Sequence, residues 1–164
     1  MIFDTHAHYD DEAFDEDRDA LLSSLQTQGI EAVVNIGASI QTTKNTLELM
    51  EKWPFVYGAA GVHPSETAEL DDRLLNWLKT VSKTPKIVAI GEIGLDYHYQ
   101  PYDRNKQIRI FTEQMELAQS LKKPVIIHSR EATEDTLSVL RQFPKVTGVV
   151  HCFSGSDQTA VQVL

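Results

Sequence analysis

The sequence predicts a parallel α/β fold, because short apolar runs alternate with amphipathic stretches of helical length along its 164 residues. Most of the six runs are continuous stretches of Val, Ile and Ala, which is typical of parallel strands buried on both faces. The runs begin about 29 residues apart on average, and eight such units would need roughly 230–250 residues, the usual size of a (β/α)8 barrel. The spacing therefore predicts barrel-type architecture with about six βα units present.

The predicted elements follow one another in strict alternation. The six strands, in chain order, are Ile2–His8, Ala32–Gly37, Phe55–Val62, Lys86–Gly94, Pro124–Ser129 and Gly148–Phe153. The helices between and after them are Asp15–Gln28, Gln41–Lys52, Asp71–Lys83, Arg104–Leu121, Glu131–Gln142 and Ser156–Leu164. Gly29 ends the first helix, because glycine readily adopts the left-handed conformation that terminates helices.

Two arrangements fit six βα units: the N-terminal portion of a (β/α)8 TIM-type barrel, or a complete six-stranded open sheet of the doubly wound kind. We expect the barrel portion, truncated at its C-terminus, because the last helix, Ser156–Leu164, ends on apolar residues without a cap. No linker or change in composition divides the chain, so residues 1–164 are expected to form a single domain.

Composition excludes several classes of protein. The net charge of -9 excludes a broadly basic protein that coats nucleic acid, although it does not exclude a nucleic-acid enzyme with a local metal site. The single cysteine, Cys152, excludes an internal disulfide. The chain shows neither a signal peptide nor a run of 18 apolar residues, so we expect no membrane association, a cytoplasmic location and a monomer.

Imidazole and carboxylate side chains recur at or near the carboxyl ends of five of the six predicted strands. Such groups cost several kcal/mol inside an apolar strand unless they are paired or bound to metal. Ligands also collect at this edge of barrels and open α/β sheets alike. The pattern therefore predicts a metal site, and the residues that carry the pattern are His6, His8, His63, Glu92, His128 and His151.

Four further features of the sequence can be interpreted. Arg130, next to a strand end, either forms a salt bridge with a helix or binds an anionic substrate such as phosphate. His98 is expected at the rim of the site. Cys152 is expected to be a small buried apolar residue that faces away from His151. The acidic run Asp10–Asp19 is interpreted as the solvated first turns of the first helix.

The sequence resembles the TatD family of metal-dependent hydrolases, which are amidohydrolase-like (β/α)8 barrels. The resemblance covers essentially the whole chain and lies in the motifs DTHAHYD (4–10), GVHP (61–64), GEIGLDY (91–97), HSR (128–130) and HCFSG (151–155). It implies that His6 and His8 bind one divalent ion. It also implies that Glu92 bridges two ions, and that His128 and His151 bind the second.

The same resemblance implies a deoxyribonuclease that uses a water activated by two divalent ions, which could be Zn²⁺, Mn²⁺, Mg²⁺, Fe²⁺ or Ni²⁺. His63 and Arg130 match positions near the substrate phosphate, and a further Asp that orients the water is expected beyond Leu164. Because few phosphates would be neutralised by this acidic chain, DNA ends or short single-stranded DNA fit better than extended duplex.

Two other functions stay open on the sequence. One is an amidohydrolase-like enzyme that hydrolyses an ester, lactone or amide bond of a small molecule. Carbonyl hydrolases of this superfamily often use a lysine on the fourth strand as the bridging ligand, whereas this chain has Glu92, which favours the nuclease. The other is a non-catalytic metal-binding or interaction fragment.

Overall fold

The computed structural model describes residues 1–69 and 71–163 and contains one sheet of six parallel strands in sequential order. The strands are β1 (Ile2–Ala7), β2 (Ile30–Gly37), β3 (Val56–Ala60), β4 (Ile87–Asp96), β5 (Val125–Arg130) and β6 (Gly148–Val150). The helices are α1 (Arg18–Leu25), α2 (Ile40–Lys52), α3 (Asp72–Val81), α4 (Arg104–Leu121), α5 (Thr133–Leu140) and α6 (Asp157–Val163). Sequential parallel order is that of a (β/α)8-type fold, so this prediction is confirmed and the doubly wound order is excluded.

The sheet curls, so that its two outer strands approach each other at their carboxyl ends. The imidazole rings of His6, on β1, and His151, just after β6, stack with centroids 3.7 Å apart and planes 9° apart. A flat sheet of six strands would hold these residues about 24 Å apart, because neighbouring strands are separated by about 4.8 Å. The curl therefore directs the carboxyl ends of all six strands toward one centre.

The core is deepest at β4, where every residue except Val88 is buried. Helix α4 covers this strand with Phe111 and Met115, which are 0% and 1% exposed. The outer strands are less well covered, since Phe3 on β1 is 59% exposed and Val149 on β6 is 52% exposed. The rigid part of the molecule is therefore the centre of the sheet.

Side-chain caps define where the longer helices begin. Ser39 accepts a hydrogen bond from the amide of Thr42, and the Thr42 hydroxyl accepts one from the amide of Ser39, which completes a capping box at α2. Asp103 likewise accepts a hydrogen bond from the amide of Lys106 at the start of α4. These caps explain why the two helices begin within one residue of the predicted positions.

The acidic run behaves differently from its prediction, because α1 begins at Arg18 rather than at Asp15. The Arg18 guanidinium donates to the carbonyl oxygens of Tyr9 at 2.6 Å and Asp11 at 2.7 Å, and to the Asp15 carboxylate at 2.6 Å. These bonds hold a short 3-10 helix, Glu12–Phe14, and the turns that follow it in front of α1. The interpretation of the whole run as helical turns is therefore wrong.

The last strand is shorter than predicted and ends at Val150. The backbone then turns, and Cys152 has a positive φ of 44° and an exposed side chain. The prediction of a buried Cys152 is wrong because strand alternation no longer applies after Val150. The predicted end of the last helix at Leu164 lies outside the described residues.

Gly94 allows β4 and β5 to approach closely beside the site. Its φ is 140°, and a Cβ at this position would collide with the backbone carbonyl of His128. Gly94 is also the register partner of His128 in the parallel ladder. Glycine here therefore sets how close the fourth and fifth strands bring their polar side chains.

Among the described residues, no helix is long and apolar enough to cross a bilayer.

Candidate metal centre

Glu92 forms the floor of a polar cluster at the carboxyl end of the sheet. It lies in the middle of β4, which runs on to Asp96 rather than ending at Gly94 as predicted. In the ladder, Gly94 rather than Glu92 pairs with His128, so the carboxylate lies two residues deeper than that histidine. Glu92 is accordingly only 4% exposed.

Imidazoles from four other segments surround this carboxylate. Glu92 Oε2 lies 3.4 Å from His6 Nε2, whereas Oε1 lies 3.1 Å from His128 Nδ1. Oε1 also lies 3.9 Å from His63 Nε2 and 3.9 Å from His151 Nε2. The structure therefore brings the predicted site residues of β1, β4, β5 and the β6 turn together, with one carboxylate oxygen facing β1 and the other facing β3, β5 and β6.

The first group of possible ligand atoms consists of His6, His8 and Glu92, whose atoms all lie within 4.8 Å of one another. The two imidazole Nε2 atoms are 3.2 Å apart. His8 follows the end of β1 and is exposed, while His6 is partly buried. This group lies at the edge of the sheet and is open to solvent on one side.

The second group consists of His63, Glu92 and His128, again within 4.8 Å of one another. His151 stands outside this group, because its ring stacks on His6. The sequence placed His151 among the ligands of the second ion and His63 near the phosphate. In the structure, His63 rather than His151 completes the second group with Glu92 and His128.

Asp96 supports this second group and was missed in the sequence. Its Oδ2 lies 2.9 Å from His128 Nε2, and its Oδ1 accepts a hydrogen bond from the amide of His98. A signal for it existed, because Asp96 follows Glu92 by four residues on one strand and so shares its face. His128 therefore stands between two carboxylates, one at each ring nitrogen.

The electrostatics of the cluster follow from burial and from these contacts. Burial raises the pKa of Glu92, but hydrogen bonds with His128 and His6 outweigh it and leave that pKa well below its usual value. Burial lowers the pKa of His128, yet its bonds to Glu92 and Asp96 leave it above the ordinary value. The pKa of His63 is lowered to about 4, mainly by burial and then by nearby His128.

The donor atoms of the cluster fit a divalent metal ion. A charged carboxylate with imidazole nitrogens on both sides is the ligand chemistry of Zn²⁺, Mn²⁺, Fe²⁺ and Ni²⁺. In addition, His6 Nδ1 is buried without a hydrogen-bond partner among the described residues. His6 Nε2 lies 3.2 Å from His8 Nε2 and 3.4 Å from Glu92 Oε2, so these three atoms are well placed to share a cation.

Arg130 and His98 lie at the rim. Arg130 forms neither a helix salt bridge nor any other contact with a carboxylate within 4.0 Å in the described part of the chain, so that alternative is wrong. Its guanidinium instead lies 5.0 Å from the centre of the Tyr99 ring and donates to the Tyr99 hydroxyl at 3.0 Å. His98 has the expected rim position and contacts Glu131 at 2.7 Å.

Comparison with known proteins gives one family. The chain matches the family described as TatD related DNase over residues 3–164. It is 37% identical over 162 residues to "Uncharacterized metal-dependent hydrolase YabD" of Bacillus subtilis, covering 98% of this chain and 64% of that protein. It is 31% identical over 165 residues to "3'-5' ssDNA/RNA exonuclease TatD" of Cronobacter turicensis, covering 99% of this chain and 63% of that protein.

Solved structures agree with these matches. YJJV, a TatD homolog from Escherichia coli K12, superposes with a TM-score of 0.90 at 32% identity, covering 99% of this chain and 64% of that one. A TatD family hydrolase from Entamoeba histolytica gives a TM-score of 0.89 at 26% identity, covering 99% and 61%. The chain thus spans less than two thirds of the length of these relatives.

Proposed function

The chain belongs to the TatD related DNase family, and we propose that its whole protein is a divalent-metal-dependent phosphodiesterase that acts on single-stranded DNA ends. The observation that carries this proposal is the placement of Glu92. Its two carboxylate oxygens face different groups of imidazoles, which suits a ligand shared by two cations. A pair of divalent ions, when bound, activates water and neutralises charge on a phosphodiester.

Different residues of this chain are assigned to the two ions. We assign His6 and His8 to one ion, Glu92 to both, and His128 and His151 to the other, with His63 close enough to the second ion to compete with His151. In this assignment Asp96 accepts a hydrogen bond from Nε2 of His128, which leaves Nδ1 as the nitrogen that binds the ion beside Glu92. This is the usual way in which a carboxylate fixes the tautomer of a metal-binding histidine.

The substrate preference follows from charge and from the relatives. With 15 basic and 24 acidic residues, the chain offers few cations for the many phosphates of a long duplex. Arg130, which has no carboxylate partner among the described residues, is available to bind a phosphate near the centre. Relatives named 3'-5' ssDNA/RNA exonuclease support a single-stranded substrate.

The proposal is tested with the whole protein, stripped by chelator and reloaded separately with Zn²⁺, Mn²⁺, Mg²⁺, Fe²⁺ or Ni²⁺. Each preparation is given DNA labelled at either end, single-stranded RNA, blunt duplex, and a panel of esters, lactones and amides. We expect metal-dependent shortening of single-stranded DNA and slower attack on duplex. Turnover of the small molecules without any cleavage of nucleic acid would replace the nuclease with the small-molecule hydrolase.

A further inference from the structure

Tyr99 and Arg130 form a second feature at the mouth of the centre, which we call the stacking platform. Arg130 is the last residue of β5, and Tyr99 lies in the segment after β4, so both adjoin strands that carry the cluster. Tyr99 comes three residues after Asp96, so their Cα atoms lie within about 11 Å. Arg130 comes two residues after His128 and is the register partner of Asp96 in the ladder. The platform therefore stands beside the second group of ligand atoms.

The platform is braced before any ligand arrives. The Arg130 guanidinium covers the Tyr99 ring at 5.0 Å and bonds to its hydroxyl. The His98 ring meets the Tyr99 ring edge-on with centroids 4.8 Å apart, and His98 is itself held by Glu131. Two planar side chains are thus held in place by their neighbours, which lowers the entropy lost when a ligand binds.

The surroundings of the platform indicate a ligand. Tyr99 is 64% exposed, although a tyrosine held in this way could have packed inward. Arg130 has no carboxylate within 4.0 Å in residues 1–69 and 71–163, in contrast to Arg18, Arg104 and Arg109. Arg141 also lacks one there, but it bonds to Gln162, whereas Arg130 lies against an exposed aromatic ring beside the cluster. An exposed aromatic ring joined to an arginine without a counterion is complementary to a flat group attached to an anion.

We propose that this platform binds the base of a nucleotide next to the cleaved phosphate, by stacking on Tyr99 and the Arg130 plane. The inference rests on the proposed function for its substrate class. Nucleobases stack on aromatic rings and on guanidinium planes whatever their sequence, because every base has a π face. The platform would thus favour unpaired nucleotides, since a base within a duplex is already stacked and paired.

The test measures binding and cleavage separately. Binding to the metal-loaded whole protein is followed by fluorescence anisotropy with a short phosphorothioate-linked oligonucleotide that resists cleavage. One abasic residue is moved through successive positions of that strand. We expect one position near the reacting end at which loss of the base weakens binding roughly 10-fold. Tyr99→Ala should cause the same loss on the intact strand and no further loss on that abasic strand.

Matched variants separate stacking from charge. Tyr99→Phe keeps the ring but loses the hydroxyl that Arg130 holds, so it should weaken binding far less than Tyr99→Ala. Arg130→Lys keeps the charge and loses the plane, so it should weaken binding of the intact strand more than of the abasic one. Phe153→Ala removes another exposed ring, and Arg109→Ala removes an exposed arginine on α4; neither should change base dependence. Metal content should be unchanged in all variants.

Each outcome decides between the two proposals. Cleavage that shows no dependence on Tyr99 or on any single base overturns the platform and leaves the proposed nuclease standing. Base-dependent binding that Tyr99→Ala abolishes, without cleavage, supports the platform and overturns the nuclease. If neither binding nor cleavage occurs, both are overturned. An equal loss of binding on intact and abasic strands would assign Tyr99 a merely structural role.

Discussion

The two groups of ligand atoms share Glu92 but differ in what supports them. The group on β1 lies at the edge of the sheet, where His8 is exposed and His6 Nδ1 has no partner among the described residues. The group on β3 and β5 lies between neighbouring strands, and Asp96 holds the far nitrogen of His128. The second group is therefore organised by the protein itself, whereas the first depends more on the ion that it binds.

This difference leads us to expect two ions of unequal affinity. An ion in the second group meets ligands whose orientation is already fixed, so less entropy is lost on binding. An ion in the first group must also order His8, which is solvated. We therefore expect the second group to fill first in a metal titration.

The largest effect is expected from Glu92→Gln, because this change removes the one carboxylate that both groups share. Two dications a few ångströms apart then repel with little to offset them. We expect metal affinity and the phosphodiesterase rate each to fall by more than the ~100-fold that loss of a supporting residue costs, so that the purified protein holds fewer ions. Elemental analysis and a rate measurement on single-stranded DNA check this.

Glu116→Gln is the matched control for that change, because Glu116 is exposed on α4 and carries the same charge. It should leave both readouts at the wild-type level. A Glu92→Gln protein that retains two ions and a near-normal rate would reject the shared role of this carboxylate.

The next effect separates the two groups. Asp96→Asn removes the negative partner of His128 Nε2 and should weaken the second ion by about 10–100-fold while the first ion is retained. Competition titrations with a metal-sensitive dye would show two binding steps that move closer together or exchange order. An equal loss in both steps would mean that Asp96 acts on the fold as a whole rather than on His128.

His63→Ala and Arg130→Ala should each weaken phosphate binding by roughly 10–100-fold, because each would lose a hydrogen bond to a charged group. We expect both variants to keep their full metal content, with the loss appearing mainly in KM. The His63 variant sharpens the comparison, since its imidazole stands among the second group of ligand atoms. Loss of one ion in His63→Ala alone would assign that residue to the metal.

The smallest effect is a dependence on pH. The pKa of His128 lies above its ordinary value of 6.5, because Glu92 and Asp96 outweigh the effect of burial. The metal-free histidine therefore holds its proton up to and beyond pH 6.5, and an ion must displace it. We expect affinity for the second ion to rise about tenfold per pH unit while that proton is bound.

Calorimetry in buffers of different ionisation enthalpy would measure the released proton. Asp96→Asn should shift this release to lower pH, since it removes one of the two groups that hold the proton. An affinity that is independent of pH between pH 5 and 7 would contradict a displaced proton on His128.

The order of the strands and most of the cluster could be predicted because each depends on local sequence. Continuous apolar runs indicated buried parallel strands, and the curl then brought distant strand ends together. Asp96 was not predicted because β4 extends two residues beyond the predicted strand end at Gly94. Strand alternation continued two residues beyond Gly94 places Asp96 on the same face as Glu92.

Other features depended on contacts that no local pattern carries. Arg18 bonds to the backbone carbonyls of Tyr9, Asp10 and Asp11, and the sequence does not reveal such bonds because every residue carries a carbonyl group. The exposure of Cys152 follows from a strand that ends at Val150. Two partners were considered for the Arg130 guanidinium, a carboxylate on a helix and a substrate phosphate. Within the protein its partner is the ring of Tyr99, which lies after a different strand and which no local pattern connects to Arg130.

The stack of His6 on His151 also has a consequence for the order of events in the cell. About 145 residues separate these histidines, so a ribosome that adds about 5–20 residues per second makes the second roughly 7–30 s after the first. Until then, the emerging chain presents His6 without the ring that stacks on it. Both groups of ligand atoms are complete once His128 has been made, but the stack that joins β1 to the β6 turn forms only after β6 is translated and the sheet has curled.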